Sequence, residues 1–528
     1  PGADKAAAAL TVHVGSFDDP AERQGLAHFL EHMLFLGTEK YPDAGAYQAY
    51  ISEHGGTNNA FTSLEDTSYF FDVSADHLAG ALDRFAQFFV APRFDAAYVD
   101  RERHAVEAEY RMKIKDDGRR EWEVLSELVN PAHPLAHFSV GDLTTLADRD
   151  GRSVRDDLLK FYRQHYSANR MTLVVLGRES LADLETAVAA SFAAVPRHGT
   201  AAGAAPVPLF ADDGVRQVFI KPDQEKRELS LLFPVPSARA HWRTKPGEFL
   251  GYVIGDEGEG SLLATLKAQG LVEKLGAGMA FDTGAGAAFN LSLTLTPAGV
   301  TRVDEVLDQT FAWLARVRAE GIAAWRYREL AQLQQIDFRF LDKAPAAAYV
   351  QQLSDALQRY PAAEVVRGQH LFADFDPELI ASYADLLVPE HAFISLMAPE
   401  VSATDRVSKR YRAAYRVAAV GADAVARWRA GVGADQFRLS APNRYIPAQF
   451  AISGKGDVAA KPELLRADQL ATLWHYWDTR FGTPKAQFVA RLALPATGSL
   501  AQVAMTELYL AIVRDQLNAE VYPAQLAG

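Results

Sequence analysis

The chain has 528 residues, of which 49% are hydrophobic and 23% are charged. At roughly 150 residues per domain, this length predicts three or four domains, and the composition excludes a disordered or fibrous protein. The net charge of −13 disfavours nucleic-acid binding, because an acidic chain repels the phosphate backbone. The sequence contains no cysteine, so any metal must be held by His, Asp or Glu.

No apolar stretch approaches the 18 or so residues of a membrane-spanning helix, which predicts a soluble chain with no membrane partner. The chain begins at Pro1 without Met and ends at Gly528 directly after a long helical pattern, so we expect a fragment of a longer polypeptide. The composition, rich in alanine and arginine, is typical of a GC-rich bacterium. We expect a periplasmic location, with the cytosol as the alternative.

Two stretches, 196–208 and 431–461, lose periodicity and gain Pro, Gly and Ala, which indicates linkers. They predict three domains, 1–195, 214–430 and 440–528. The first two share one order of alternating strand, helix, glycine turn, alternating strand and long amphipathic helix, repeated after about 220 residues. We infer an α+β fold of tandem homologous sandwich units, each a mostly antiparallel sheet packed by helices, with two complete copies and the start of a third.

The periodicity also predicts individual elements. In chain order, these are strands over 10–15 and 68–73 and a helix over 75–90 in the first piece, strands over 229–234 and 288–296 and a helix over 300–317 in the second, and a strand over 488–495 and a helix over 500–518 in the third.

The strongest functional signal is His28-Phe-Leu-Glu31-His32, in a helix predicted to have Asp19 as its N-cap and Pro20 at its first position. At 3.6 residues per turn, His28 and His32 leave one face a turn apart and can bind one metal ion together. Glu31 lies where its carboxylate can reach a water on that ion. This order of residues, with the acid beside the second His, is typical of inverzincin peptidases and predicts zinc.

A catalytic zinc ion keeps three protein ligands and one open position, so one more ligand is required. The helix predicted over 96–115 is rich in acids, and Glu102 and Glu109 share one of its faces, whereas Glu107 points elsewhere. Spacing alone does not choose between Glu102 and Glu109.

Two further motifs are interpreted as structural. His133 and His137 also stand four residues apart, but Pro134 forbids the regular helix that would align them as ligands. The acidic run 255–261 lacks the Lys-Ser/Thr ending of a phosphate loop, and it predicts a turn in which Ser261 caps the following helix.

The run 22–37 closely resembles the pitrilysin/insulysin family of zinc metallopeptidases, as do the segments 54–62, 130–134 and 169–172. The resemblance implies a clamshell zinc endopeptidase that hydrolyses short or unfolded peptides and binds one zinc ion per chain. It implies that Glu109 is the third ligand and that Glu102 is an acid outside the direct ligand set.

The resemblance further implies that Glu31 is the general base, taking a proton from water and passing it to the leaving amine. The segment Asn59, Ala60, Phe61 and Thr62 predicts a hairpin strand, and in the family this edge strand receives the substrate as an added β-strand. The family also suggests that the turn 255–261 anchors the peptide amino terminus. The second piece lacks a His-x-x-Glu-His motif, so we expect it to form a wall of the chamber.

The expected partners are peptide substrates and the missing carboxy-terminal half, which in the family contributes an Arg and a Tyr near the metal. The fragment alone is therefore expected to be weakly active or inactive. Two alternatives stay open: a specialised processing peptidase for cofactor-precursor or targeting peptides, and a noncatalytic peptide-binding subunit. The intact Glu31 disfavours the second alternative, since a structural zinc ion needs no such acid.

Overall fold

Two compact units, 1–440 and 441–528, make up the computed structural model, which describes residues 4–149, 151–198, 207–211, 214–452, 461–478, 480, 482–491 and 499–528. No helix within these ranges is both long and apolar enough to cross a membrane. Most of the predicted linker 196–208, and residues 453–460 of the second predicted linker, lie outside the described residues.

The first part of unit 1 is a four-stranded sheet with helices on both faces. Its elements are β1 (Lys5–Val12), α1 (Leu26–Leu34), α2 (Ala46–Glu53), β2 (Thr57–Thr62), β3 (Thr67–Ser74), α3 (Leu78–Val90), α4 (Ala96–Met112), α5 (Asp117–Leu128), α6 (Val154–His165), β4 (Met171–Leu176) and α7 (Leu181–Phe192). The strand order is β2-β3-β1-β4 and every pair is antiparallel, so β2 forms one edge.

The second part of unit 1 is built on a seven-stranded sheet. Its elements are β5 (Arg216–Ile220), β6 (Glu228–Val235), α8 (Pro246–Ile254), α9 (Leu262–Ala268), β7 (Val272–Thr283), β8 (Gly286–Leu295), α10 (Pro297–Thr301), α11 (Val303–Glu320), α12 (Ala324–Arg339), α13 (Ala346–Ala356), α14 (Pro377–Ala384), β9 (Phe393–Met397), β10 (Arg406–Val407), β11 (Ala414–Ala419) and α15 (Ala422–Ala430). The order is β10-β11-β5-β9-β6-β8-β7, with β5 and β9 parallel and all other pairs antiparallel. The predicted α+β class with mostly antiparallel sheets is confirmed.

Strand β1 begins at Lys5, five residues before its predicted start. The alanine run 6–9 concealed it, because alanine is uncommon in strands. Here the small side chains suit a strand covered on both sides: Ala6 and Ala8 face the core formed with α1 and α3, whereas Ala7 and Ala9 contact Val350 of α13. Burial on both faces therefore overrides the local preference of alanine.

Several predicted helix bounds also differ from the structure. The predicted helix 75–90 is a 3-10 turn, Ala75–His77, followed by α3, and the predicted helix 96–115 is α4, which ends at Met112. The predicted helix 300–317 is divided between α10 and α11, with a break at Arg302.

Unit 2 contains β12 (Glu463–Ala467), β13 (Thr472–His475), α16 (Leu500–Gln516) and α17 (Asn518–Leu526). The predicted helix 500–518 corresponds to α16, where the Ser499 hydroxyl accepts a hydrogen bond from the Gln502 backbone N–H. The prediction of a strand over 488–495 is wrong for 488–491, which form none, and 492–495 lie outside the described residues. The antiparallel hairpin of β12 and β13 was not predicted.

Candidate active site

The helix α1 presents the His-x-x-Glu-His motif, but it does not begin where the sequence predicted. Asp19 is not its N-cap, since the helix starts at Leu26 after Gly25, whose φ of 86° is left-handed. The buried Asp19 carboxylate nevertheless accepts backbone N–H groups of Gly25 and Ala27, both at 2.7 Å. Asp19 therefore satisfies free donors at the start of α1 from a distance in sequence, as a capping side chain does.

Three side chains from two helices meet at one point. His28 and His32 of α1 stand with their rings 4.9 Å apart and nearly perpendicular, and both face Glu109 of α4. The Glu109 Oε2 atom lies 3.5 Å from His28 Nε2 and 3.6 Å from His32 Nε2. Within the described part of the chain, these three residues form the one group of His, Asp or Glu whose ligand atoms all lie within 4.8 Å of one another.

Both histidines are oriented through their other ring nitrogen. His28 Nδ1 lies 2.8 Å from the carbonyl oxygen of Val140, to which it donates, and His32 Nδ1 lies 3.4 Å from Glu102 Oε2. These contacts leave both Nε2 atoms free to bind a cation, which is the arrangement of histidine ligands in metal sites. Glu102 therefore lies on the Nδ1 side of the His32 ring, and Glu109 lies on the Nε2 side.

The loop that carries Val140 is held against α1 by two glycines. An added Cβ on Gly25 would lie 2.3 Å from the Cα of Gly141, and both residues have a left-handed φ of 86°. This backbone-to-backbone contact brings the Val140 carbonyl beside His28. A larger residue at either position would separate the loop from the helix.

Electrostatics in the cluster follow from these contacts. Burial alone would lower the pKa of His32, but hydrogen bonds with Glu102 and Glu109 outweigh burial and raise that pKa to about 9. Hydrogen bonds with His28 and His32 hold the pKa of Glu109 far below its usual range. The site therefore has two carboxylates that favour a positive charge between the imidazoles, as a bound cation would provide.

Glu31 stands apart from this group and faces the same cleft. Its residue surface is 8% exposed, and its carboxylate accepts a hydrogen bond of 2.6 Å from the Thr62 hydroxyl at the end of β2. Burial raises the pKa of Glu31, while His28, Thr62 and His32 oppose the rise. Thr62 was predicted as a substrate-binding residue, and in the structure its side chain fixes this carboxylate.

The cleft has a volume of about 760 Å³ and is lined by the cluster, by Glu31 and by the edge strand β2. Asn59, Ala60 and Phe61 all line it, and the Phe61 side chain is 38% exposed. Among the described strands, β2 pairs with β3 alone, with Ala60 opposite Tyr69. The second edge of β2 can therefore accept an extended chain by main-chain hydrogen bonds.

The donor set fits zinc. Zinc takes imidazole nitrogen and carboxylate oxygen at about 2.0–2.2 Å, so two ligand atoms of one tetrahedral ion lie roughly 3.3–3.6 Å apart. The distances from Glu109 Oε2 to the two Nε2 atoms, 3.5 and 3.6 Å, agree with this separation. Three protein ligands also leave the fourth position open, as a catalytic zinc ion requires.

The remaining motifs make local contacts of the structural kind that the sequence predicted. His133 accepts the Leu135 backbone N–H through Nδ1 at 3.1 Å, at the start of a 3-10 turn that ends before His137. Ser261 caps α9 by accepting the Ala264 backbone N–H. Glu107 turns away from the cluster and accepts the Leu143 backbone N–H.

Among the residues of the cleft that were not predicted from sequence, two bear on the site. The Val140 carbonyl is a backbone group, so no side chain could have signalled its role. Arg119 at the start of α5 lines the cleft, and its signal, a basic residue in the run Gly118-Arg-Arg120, was too common to single out.

Three profiles of one peptidase family match successive parts of the chain: "Insulinase (Peptidase family M16)" over residues 1–132, "Peptidase M16 inactive domain" over 153–333 and "Middle or third domain of peptidase_M16" over 338–528. The chain belongs to this family of peptidases, the pitrilysin/insulysin family. The profile named for an inactive domain begins at α6 of the first part and extends over β5 to β8 of the second sheet, and its range contains no His-x-x-Glu-His motif.

Individual proteins resemble the chain over its full length. The insulin-degrading enzyme of Homo sapiens is 37% identical over 535 residues, which cover 100% of this chain and 52% of that protein. The A-factor-processing enzyme of Saccharomyces cerevisiae is 34% identical over 535 residues, with the same two coverages. The crystal structure of pitrilysin aligns with a TM-score of 0.88 and 30% identity, covering 100% of this chain and 56% of that one. The chain thus spans about half the length of these relatives.

Proposed function

We propose that this chain carries the catalytic centre of a zinc-dependent endopeptidase, with His28, His32 and Glu109 as the zinc ligands. The observation that carries the proposal is the position of Glu31, a buried acid that lies on the same helix and the same cleft as the two histidines and is not needed to hold the metal. A structural metal site has no use for such an acid, whereas a hydrolase needs a base beside its metal.

When bound, zinc supplies Lewis-acid chemistry, polarising a peptide carbonyl and making a water molecule more acidic. Glu31 accepts the proton of the attacking water and returns it to the leaving amine. Burial suits Glu31 to both steps, because a raised pKa brings a carboxyl group closer to neutral pH, where it can take and give a proton. The Thr62 hydrogen bond holds the carboxylate in place, and Glu102 holds the His32 ring.

The substrate is proposed to be an extended peptide that adds to the open edge of β2. Main-chain pairing selects for an extended, flexible chain and not for one sequence, and Asn59, Ala60 and Phe61 provide side chains along that path. Two relatives are named for degrading insulin and for processing A-factor, which supports peptides as the substrate class. Because the relatives are about twice as long, we propose that further chain closes the cleft into a chamber.

The test compares Glu31→Gln with Glu22→Gln. Glu22 is an exposed acid that precedes the His-x-x-Glu-His motif. Because the chain alone is expected to be weakly active, each zinc-loaded protein is incubated at a concentration at which the parent gives measurable cleavage of a flexible peptide of about twenty residues, and products are followed by mass spectrometry. Loss of a general base typically costs a factor of roughly 10²–10⁴, so Glu31→Gln should fall by this factor while Glu22→Gln matches the parent. Equal cleavage by Glu31→Gln and the parent would assign the base to another residue.

A further inference from the structure

A second cavity of about 380 Å³ adjoins the catalytic cleft and shares Arg119 and Ser139 with it. One wall is α5, and the other is the turn that joins β10 to β11 and carries Lys409, Arg410 and Tyr411. A peptide bound along β2 that extends past the metal cluster toward α5 therefore reaches this cavity next.

The turn between β10 and β11 is rigidly fixed by one buried acid. The Glu123 carboxylate accepts the Ser408 hydroxyl and the backbone N–H groups of Arg410 and Tyr411, the last two at 2.7 Å. Glu127 accepts the Lys409 backbone N–H at 2.8 Å. The turn thus presents the exposed Lys409 side chain from a preorganised backbone, which lowers the entropy lost on binding.

The cations of this region differ in how they are paired. Arg101 forms a 2.8 Å ion pair with Glu102, and Arg410 lies 3.7 Å from Asp142 with its guanidinium 4.2 Å from the centre of the Phe138 ring. In the described part of the chain, neither the Arg119 guanidinium nor the Lys409 ammonium has an ion pair or a side-chain hydrogen bond. Both are exposed, in a chain whose net charge is −13.

The acids that line the same cavity are already engaged. Glu123 uses its oxygens on the turn, and Glu127 accepts the Tyr415 hydroxyl as well as the Lys409 backbone. Neither carboxylate contacts Arg119 or the Lys409 side chain. The cavity therefore keeps two free cationic groups at its mouth, next to the place where peptide bonds would be cleaved.

We propose that Arg119 and Lys409 form a subsite that binds a carboxylate of the peptide substrate. The guanidinium of Arg119 can hold a carboxylate with two parallel hydrogen bonds, and the flexible Lys409 can approach it as a second charge. The carboxylate can belong to an Asp or Glu side chain or to the peptide's carboxy terminus. This inference rests on the proposed function, because it requires a peptide in the adjoining cleft.

The test measures peptide binding, so that it does not depend on turnover. The full chain carrying Glu31→Gln is loaded with zinc and titrated into fluorescein-labelled decapeptides, with fluorescence anisotropy as the readout. One series places a single Glu at each position in turn, a second replaces that Glu by Gln, and each is made with a free and with an amidated carboxy terminus.

At one or two neighbouring positions, Glu peptides should bind about three- to tenfold more tightly than their Gln counterparts, as half-exposed charge-assisted pairs do. If Glu and Gln peptides bind equally and amidation weakens both, the bound group is the terminal carboxylate. The preference should shrink in 0.5 M salt, because exposed charges are screened. Arg119→Gln should abolish it, Arg119→Glu should reverse it so that Gln peptides bind more tightly, and Lys409→Gln should reduce it. Lys113→Gln, at an exposed cation outside both cavities, should leave it unchanged.

The outcomes separate the subsite from the peptidase. If Glu, Gln and amidated peptides all bind equally, the subsite is wrong and the proposed function stands. If the preference survives Arg119→Gln and Lys409→Gln together, these residues are not its source. If no peptide binds, while metal analysis shows zinc in place, both the subsite and the β2 binding mode are overturned.

Discussion

The helices α1 and α8 occupy corresponding places in the two parts of unit 1, about 220 residues apart, yet they have opposite surroundings. α8 lies directly on β7: an added Cβ on Gly247 would meet Met279 Sδ at 2.2 Å, and one on Gly251 would meet the Ala277 carbonyl oxygen at 2.9 Å. Gly251 therefore lets the helix approach the backbone of the strand, and Gly247 makes room for the Met279 side chain.

In α1 the position equivalent to Gly251 is Glu31, and the strand beside it is β2. The Glu31 carboxylate accepts a hydrogen bond from Thr62, and a cleft of about 760 Å³ lies beside α1 and β2. At the equivalent place in the second part, α8 and β7 are in contact. The equivalents of His28 and His32 are Glu248 and Tyr252, and the Tyr252 hydroxyl donates to Glu329 at 2.8 Å. The comparison teaches that a few side chains on one helix decide between packing and an open polar site.

The largest effect should come from exchanging the residues at one pair of equivalent positions, His32 of α1 and Tyr252 of α8. His32→Tyr removes one of the three proposed zinc ligands and should abolish both zinc binding and peptide cleavage, because two ligands do not make a catalytic zinc site. Tyr252→His should not bind a second zinc ion, since the equivalent of His28 is Glu248 and the Ala277 carbonyl lies against Gly251, at the place where the cleft opens beside α1. Metal analysis by mass spectrometry measures the zinc content of both variants. Two zinc ions per chain in Tyr252→His would refute the claim that the packing of α8 excludes a metal site.

The contact between α8 and β7 is tested by Gly251→Ala. The new methyl group would press on the Ala277 carbonyl oxygen, and overpacking of this kind typically costs about 1–3 kcal/mol of stability. Denaturant unfolding should show this loss for Gly251→Ala but not for Glu31→Gln, which keeps the size of its side chain in an open cleft. Equal stability of Gly251→Ala and the parent would mean that α8 and β7 are not in backbone contact.

A smaller effect is expected for Glu102→Gln, which weakens the hydrogen bond that orients His32. Loss of such an acid typically lowers zinc affinity by about 10–100-fold, so the variant should still bind zinc but release it sooner to a chelator. Glu107→Gln on the same helix is the control, because Glu107 contacts Leu143 and not the cluster. Identical zinc affinities for Glu102→Gln and Glu107→Gln would exclude a role for Glu102.

Local pattern predicted which residues share a helix better than it predicted the bounds of the elements around them. The spacing of His28, Glu31 and His32 put all three on one helix, and the resemblance to a peptidase family selected Glu109 over Glu102. Asp19 was assigned to the wrong position because its capping contact spans six to eight residues, which a local rule does not cover. The start of β1 was missed because its alanines are explained by α13, more than 330 residues later.

Other features depended on long-range contacts that carry no local signal. The Val140 carbonyl lies beside His28 only because Gly25 and Gly141 meet, and Arg119 gains significance from the β10–β11 turn across the cavity. No element was predicted over the hairpin of β12 and β13, although Asp468 accepts the N–H groups of Leu470 and Ala471 as a turn residue does.

The central claim, one zinc ion held by His28, His32 and Glu109, is tested most directly by the zinc content of Glu109→Gln. Each protein is dialysed against a weak chelator and analysed for metal. The account predicts about one zinc per chain for the parent, the same for Glu107→Gln, and almost none for Glu109→Gln. Full zinc occupancy in Glu109→Gln, together with its loss in Glu102→Gln, would contradict the account and make Glu102 the third ligand.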